Sequence, residues 1–252
     1  MQLMDAATPY DSRFFTTQRA SSFRSANVIV PIINDLIAPR SVCDVGCGVG
    51  TWLRAWSDLG VSQICGLDGD YVDQAQLMIE KQFFLRHDLR RTLPSIGTFD
   101  LVLSLEVAEH LPADRAESFI ADLTTLAPVV LFSAAIPNQG GTNHINEQWQ
   151  DYWADLFKAR GFTAFDVVRP LIWNDERVDR WYSQNAILYC REELAQNYPA
   201  LSIARVLPLS LVHPKQYIER SDEYEVSESW ALLLNSLRHA VVRRVGKFVG
   251  KI

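Results

Sequence analysis

The sequence predicts an α/β fold built on a doubly wound sheet, and three features carry that prediction. Short apolar runs alternate with helix-patterned segments, an order that implies right-handed crossovers in a mainly parallel sheet. The run Asp44-Val45-Gly46-Cys47-Gly48-Val49-Gly50 follows Val42-Cys43 and leads into the helical pattern of Thr51-Trp52-Leu53-Arg54-Ala55-Trp56. A strand, a glycine turn and a helix N-terminus together make a seat for a nucleotide-like ligand. Polar groups close the next strands, as Asp68-Gly69-Asp70 and as His87-Asp88. In open α/β sheets the chemistry gathers at those strand ends.

The elements follow in order. Residues 12–38 read mainly as helix, with Pro39 as the break. The first strand falls at 41–45 and its helix at 50–59. Gln63-Ile64-Cys65-Gly66-Leu67 is the second strand, followed by a helix over 71–79. Phe83-Phe84-Leu85-Arg86 is the third strand, and its alternation assigns Phe83 and Phe84 to the core. Residues 99–105 are nearly all apolar, as a parallel strand covered on both faces should be. A helix at 112–126, a fifth strand at 128–133 and a helix at 146–160 come next. Strand-like runs near 162–168 and 184–190 end the pattern. The stretch from Arg169 to Tyr182 between them reads as a loop, either solvated or able to lid a pocket. The division expected is a helical segment at 1–38, a core at 39–191 and an extension at 192–252.

A chain of 252 residues, 48% hydrophobic, suits one α/β domain with appendages. A formal charge of −6 argues against a surface built to hold nucleic acid. Cys43, Cys47, Cys65 and Cys190 form no C-x-x-C pair, which suggests reduced thiols in a cytosolic setting. The first residues, Met-Gln-Leu-Met-Asp, do not read as a secretory signal, and no apolar run is long enough to span a bilayer. A cytoplasmic location is therefore expected. In the tail, Val241, Val245, Phe248 and Ile252 share one helical face, and Arg243, Arg244, Lys247 and Lys251 share the other. Such a basic amphipathic helix over 238–252 packs on the domain or a partner, or lies on an anionic membrane surface.

The glycine turn is neither the G-x-G-x-x-G dinucleotide fingerprint nor a P-loop. From the glycines alone, a ligand seat and a plain tight turn are both open. With the other strand ends included, the chain resembles the class I S-adenosylmethionine-dependent methyltransferases over about residues 24–190. Val42 to Gly50 looks like the first motif of that family, and Asp68 matches its ribose-binding acid. His87-Asp88-Leu89 matches the adenine segment, and residues 99–106 match the fourth strand beside the methionine moiety. The resemblance implies a Rossmann-like, seven-stranded sheet with its last strand antiparallel. It also implies S-adenosylmethionine as donor, held by Asp44, Gly46, Cys47, Gly48, Asp68, Asp88, Leu89, Ser104 and Leu105. The helix after the turn would favour the donor's carboxylate through its dipole.

The acceptor side is written in Glu106-Val107-Ala108-Glu109-His110 and in Asn143-His144-Ile145-Asn146-Glu147-Gln148-Trp149. On a helical turn Glu106, Glu109 and His110 share a face, and His144 joins them from the loop after the fifth strand. Carboxylates with imidazoles suit Mg²⁺ or Mn²⁺. The set resembles the metal site of 2'-O-methyltransferases that modify small-RNA 3' ends. The same string also occurs in class I methyltransferases with no metal, where His110 caps a helix or lies beside substrate. In a metal-free reaction His144, or else His110, takes the proton from the acceptor hydroxyl. Asn143, Asn146 and Trp149 suit sugar hydroxyls and sugar faces. Trp149 and Trp153 lie four apart, which gives one to the core and one to substrate.

These features resemble methyltransferases of bacterial polysaccharide and natural-product pathways. The implied activity is O-methylation of a sugar hydroxyl in a glycan or glycosylated metabolite. The alternatives are 2'-O-methylation of an RNA 3' end, methylation of a phenolic or quinone-like metabolite, and a donor-binding subunit without catalysis. The acidic balance places nucleic acid behind a small-molecule or glycan acceptor.

Overall fold

The computed structural model describes residues 12–203 and 209–222. The expected tail helix over 238–252 lies outside those residues. The described residues up to His213 form one compact unit. A second unit begins at Pro214, and its described part, 214–222, is helical.

Seven strands form one sheet in the order β3-β2-β1-β4-β5-β7-β6. They are β1 (Ser41–Val45), β2 (Gln63–Asp68), β3 (Phe84–Arg86), β4 (Leu101–Leu105), β5 (Val129–Ser133), β6 (Phe162–Phe165) and β7 (Ile187–Arg191). β7 pairs antiparallel with both β5 and β6, and all other pairings are parallel. β1, β4 and β5 are buried at every residue, which explains their near-continuous apolar sequence. One face is covered by α1 (Ser12–Ile37) and α2 (Thr51–Asp58), through Ile29, Ile33, Leu53 and Trp56. The other is covered by α3 (Ala116–Leu126) and α4 (Gln150–Lys158), through Phe119, Leu123, Trp153 and Phe157. Phe83 and Phe84 pack partly buried against the first of these layers.

The helix expected over 71–79 does not form. Asp73 bonds locally, its Oδ1 accepting from Ala75 N at 2.9 Å and its carbonyl from Gln76 N at 3.0 Å. Met78 N donates to Val49 O at 2.8 Å. These bonds offer the backbone turns and a long-range partner in place of a helical ladder. α4 begins at Gln150, so residues 146–149 are loop and not helix. The stretch expected as a loop after β6 contains α5 (Arg169–Ile172) and α6 (Arg180–Asn185), both with buried residues. Residues 184–185 therefore belong to α6, and β7 starts only at Ile187.

The physical cause of that difference is a buried ion pair. Arg169 Nε and Nη2 fork onto the Asp166 carboxylate at 2.8 and 2.7 Å, with both residues almost fully buried. Arg169 Nη1 donates to Gln184 O at 3.1 Å and to Leu209 O at 2.7 Å. Gln150 Nε2 donates to Leu211 O at 3.0 Å, and His213 N donates to Gln184 Oε1 at 2.8 Å. The segment 209–213 is thus tied to α4, α5 and α6. Arg169→Met leaves Asp166 charged and buried without its partner. A loss of about 3–5 kcal/mol follows, read as a fall in Tm on the order of 10 °C by calorimetry.

Candidate active site

The candidate residues stand at or just beyond the C-terminal ends of β1 to β5. At the end of β1 the turn runs through Gly46, Gly48 and Gly50, with φ of 90°, 53° and 82°. At Gly46 the close approach also demands glycine, since a Cβ there would lie 2.3 Å from Val107 Cγ2. Gly46 N and Cys47 N both donate to Leu67 O, at 2.8 and 3.1 Å. Gly48 N donates to Asp68 Oδ2 at 2.6 Å, and Gly69 N to Asp68 Oδ1 at 2.6 Å. The Tyr71 hydroxyl also donates to Asp68 Oδ1. The turn and the acid at the end of β2 are therefore one hydrogen-bonded unit. Burial raises the Asp68 carboxyl above its usual range, and the bonds from Tyr71, Gly69 and Gly48 oppose that rise.

Asp44 is buried, and its Oδ2 has no hydrogen-bond partner among the described residues. Burial first, and then the charge of Asp68, pushes its carboxyl well up. Cys47 is buried against Gly66, and Leu105 and Leu89 are buried as well. Ser104 Oγ is buried without a partner among the described residues. The Asp88 carboxylate is forked by Arg90 at 2.8 and 2.9 Å, which holds its carboxyl down at about 2. The loop that carries Leu89 is pinned by Arg115, whose guanidinium donates to Leu89 O and Arg91 O at 3.2 and 2.9 Å.

On the acceptor side the structure brings together Glu109, His110 and His144, whose ligating atoms lie within 4.8 Å of one another. A 3-10 turn, Ala108–His110, carries the first two, and Ile145 N and Asn146 N bond to Glu109 O at 2.9 and 3.0 Å. The His110 and His144 rings meet edge to face at 4.8 Å. His110 Nδ1 lies 3.4 Å from Asn143 O, and Asn143 has a left-handed φ of 61°. Burial and then His144 lower the His110 pKa. Glu106 does not enter this group. Its backbone is left-handed at φ 56°, and its carboxylate accepts from Gln139 Nε2 at 2.7 Å and Asn185 Nδ2 at 3.2 Å. Asn146 is buried, Trp149 is 44% exposed, and Trp153 is 1% exposed among core aromatics. Trp149 is therefore the tryptophan of the pair that faces outward, and Ile145, four residues earlier in the same loop, is exposed too.

The chain matches the family model described as a methyltransferase domain over residues 18–168. That span covers more than half of the sequence and includes both the glycine turn and the Glu109–His110–His144 group. The chain belongs to the methyltransferase domain family.

Known proteins fit that membership. This methyltransferase is 34% identical over 98 residues to a probable chloroplastic tocopherol O-methyltransferase of Oryza sativa subsp. japonica. The match spans 35% of the chain and only about a quarter (26%) of the rice protein. Its fold is similar to that of a sugar N-methyltransferase of Streptoalloteichus sp ATCC 53650, with a TM-score of 0.56 and 13% identity. That likeness covers 76% of this chain and 96% of the other. It is also similar to the magnesium protoporphyrin IX methyltransferase of Synechocystis PCC 6803 with bound S-adenosylmethionine. There the TM-score is 0.51 and the identity 20%, over 74% and 86% of the two chains. Among the described residues no helix of the methyltransferase is long and apolar enough to cross a membrane.

Several residues that shape the site were not found from the sequence. Glu147 bonds His144 Nδ1 at 2.9 Å, and its i+3 spacing from that histidine was the available signal. Gln139 and Asn185 hold Glu106, and Asn185 was hidden inside an expected strand.

Glu109 is fully buried, and neither carboxylate oxygen has a hydrogen-bond partner among the described residues. Burial first, and then Glu106, pushes its carboxyl well up. A folded-state pKa above the unfolded one means that the native state holds the extra proton. The ionised form then costs stability progressively as pH rises from the ordinary carboxylate range toward the folded value. Glu109→Gln removes that cost. It is expected to raise Tm at pH 8 by about 3–6 °C, with a smaller rise near pH 4.5, in thermal melts of the metal-free protein.

Proposed function

We propose that this protein transfers the methyl group of S-adenosylmethionine to a hydroxyl of a neutral sugar in a glycan or glycosylated metabolite. The observation that carries the reading is His144, held on one side by Glu147 and set beside His110 at the strand ends. Asp68, fixed by two backbone N–H groups, supplies oxygens for the donor's ribose hydroxyls. Asp44, a buried carboxyl with an unpartnered Oδ2, offers a hydrogen-bond acceptor to the donor's amino group. His144 takes the acceptor proton as the carbon–oxygen bond forms, and alignment of donor and acceptor supplies much of the rate. The exposed Trp149, in the loop that carries His144, offers an aromatic face of the kind sugars lie against. Asn143, next to His144, adds polar contacts.

The charge of the site favours a neutral acceptor. Glu106, Glu109 and Glu147 gather on the acceptor side, and the site guanidinium groups named above, those of Arg90 and Arg115, stand on the donor side. A polyanion such as an RNA 3' end finds no cationic partner for its phosphates among the acceptor-side residues named above.

A metal-assisted form of the same reaction has one specific observation behind it. The orphaned Glu109 carboxylate beside two imidazoles fits a divalent cation such as Mn²⁺ or Mg²⁺. Glu109, His110 and His144 would hold it, and it would lower the pKa of a bound hydroxyl. Glu106 would stand behind them on Gln139 and Asn185.

Incubation with radiolabelled S-adenosylmethionine and a panel of neutral glycosides, phenols and short RNAs tests the reading. Label in a glycoside is the expected result, and label only in phenol or RNA overturns it. Donor binding with no labelled product in any acceptor would point to a non-catalytic subunit. Metal analysis, with activity before and after a chelator, separates the two forms.

A further inference from the structure

The surroundings of His144 are more fully built than a loop histidine requires. Glu147 Oε1 lies 2.9 Å from His144 Nδ1 and also accepts from Gly140 N at 3.3 Å. Glu147 Oε2 accepts from Asn138 N at 2.8 Å. The turn that supplies these two N–H groups is held in left-handed backbone, with φ of 66° at Asn138 and 75° at Gly140. The ring has two further walls. A Cβ on Gly141 would lie 2.3 Å from His144 Nε2, so only glycine leaves the ring its place. The His110 ring closes the other side, edge to face. The His144 and Glu147 side chains are only 12% and 22% exposed, so solvent does little to scramble the arrangement.

We propose that Glu147 is a positioning residue that fixes His144 as its Nδ1–H tautomer and leaves Nε2 as the nitrogen with the lone pair. An ionised carboxylate only accepts hydrogen bonds, so the proton shared with a neutral imidazole sits on Nδ1. Two backbone N–H bonds already hold the Glu147 oxygens, so the acceptor is in place before any substrate arrives. A lone pair on a fixed nitrogen is what a general base requires, and it is equally what a metal ligand requires. The catalytic part of this inference rests on the role proposed for His144 in methyl transfer. The tautomer itself does not depend on that role.

The test is long-range proton–nitrogen NMR on the full-length protein labelled with ¹⁵N-histidine at pH 8, in which His144 is assigned by difference with His144→Gln. The wild type is expected to show the Nδ1–H form. In Glu147→Gln one acceptor oxygen replaces the two that serve His144, Gly140 and Asn138, and the share of the Nδ1–H form is expected to fall in favour of Nε2–H. Glu147→Ala, which offers Nδ1 no partner, is expected to show the Nε2–H form as well and serves if the glutamine variant does not fold. Glu147→Asp keeps an acceptor and is expected to keep the wild-type tautomer. An Nε2–H or imidazolium form in the wild type, or an unchanged tautomer in the Gln and Ala variants, overturns the proposal.

Calorimetry with S-adenosylhomocysteine reports whether each variant keeps the donor site, and its affinity is expected to stay within about twofold of wild type. With the glycoside labelled in the acceptor panel, Glu147→Gln is expected to lower kcat by about 100-fold or more, with donor KM unchanged and partial recovery in Glu147→Asp. Loss of donor binding in every Glu147 variant would mean a role in holding the fold and would overturn the positioning role. If no glycoside is labelled, the acceptor reading falls while the tautomer result still stands or falls by itself.

Discussion

Asp68→Ala should weaken S-adenosylhomocysteine binding by about 10²- to 10⁴-fold, the equivalent of two hydrogen bonds to a charged group at about 1.5–3 kcal/mol each. The structure explains why the effect concentrates on one residue. Both carboxylate oxygens are already aimed by backbone N–H groups, Gly48 on one and Gly69 on the other. In the proposed donor site, ribose hydroxyls would meet acceptors whose orientation is fixed in advance, at little ordering cost. Alanine also releases Gly48 N and so loosens the glycine turn. Titration calorimetry on a variant whose melt matches wild type reads this directly. An affinity within about threefold of wild type would remove Asp68 from the donor site.

His144→Ala should lower kcat by about 10²- to 10⁴-fold, the range of a lost general base, with S-adenosylhomocysteine affinity unchanged. Donor affinity is spared because the donor-side residues hang on β1, β2 and β4, whereas His144 sits in the loop between β5 and α4. His110 is the control. Its ring touches His144, and burial keeps it neutral at lower pH than an exposed histidine. Activity within about threefold of wild type in His144→Ala, together with a large loss in His110→Ala, would move the base to His110.

The sheet and the glycine turn were legible because their signals are local. An apolar strand, three glycines and an acid one strand later force much the same backbone wherever they occur in this order. The segment at 71–79 failed because its helical pattern competes with an Asp73 turn and a long-range bond to Val49, and periodicity registers neither. The region from Arg169 to Asn185 failed for a different reason. Its charged residues look solvated, yet Arg169 is buried because Asp166 waits three residues earlier. On the acceptor side the sequence supplied Glu109, His110 and His144. The division of labour between the two glutamates depends on Gln139 and Asn185, which approach from 33 and 79 residues away and leave no mark in the local pattern.

The reversed direction of β7 has a consequence for anything attached after it. In a parallel strand the chain would leave the sheet on the side where the site lies. Here the chain leaves at Arg191 beside Pro128, where β5 begins, which is the rim remote from the glycine turn. By Leu209 it is back at the near rim, bonded to Arg169. Arg191 and Leu209 thus lie at opposite rims, and 209–213 fasten the chain at the near one. A protein truncated after β7 would keep every strand and lose the fastening. It would take Leu209 O and Leu211 O away from Arg169 and Gln150, whose remaining bonds run to Asp166, Gln184 and Asn185, the last of which also holds Glu106.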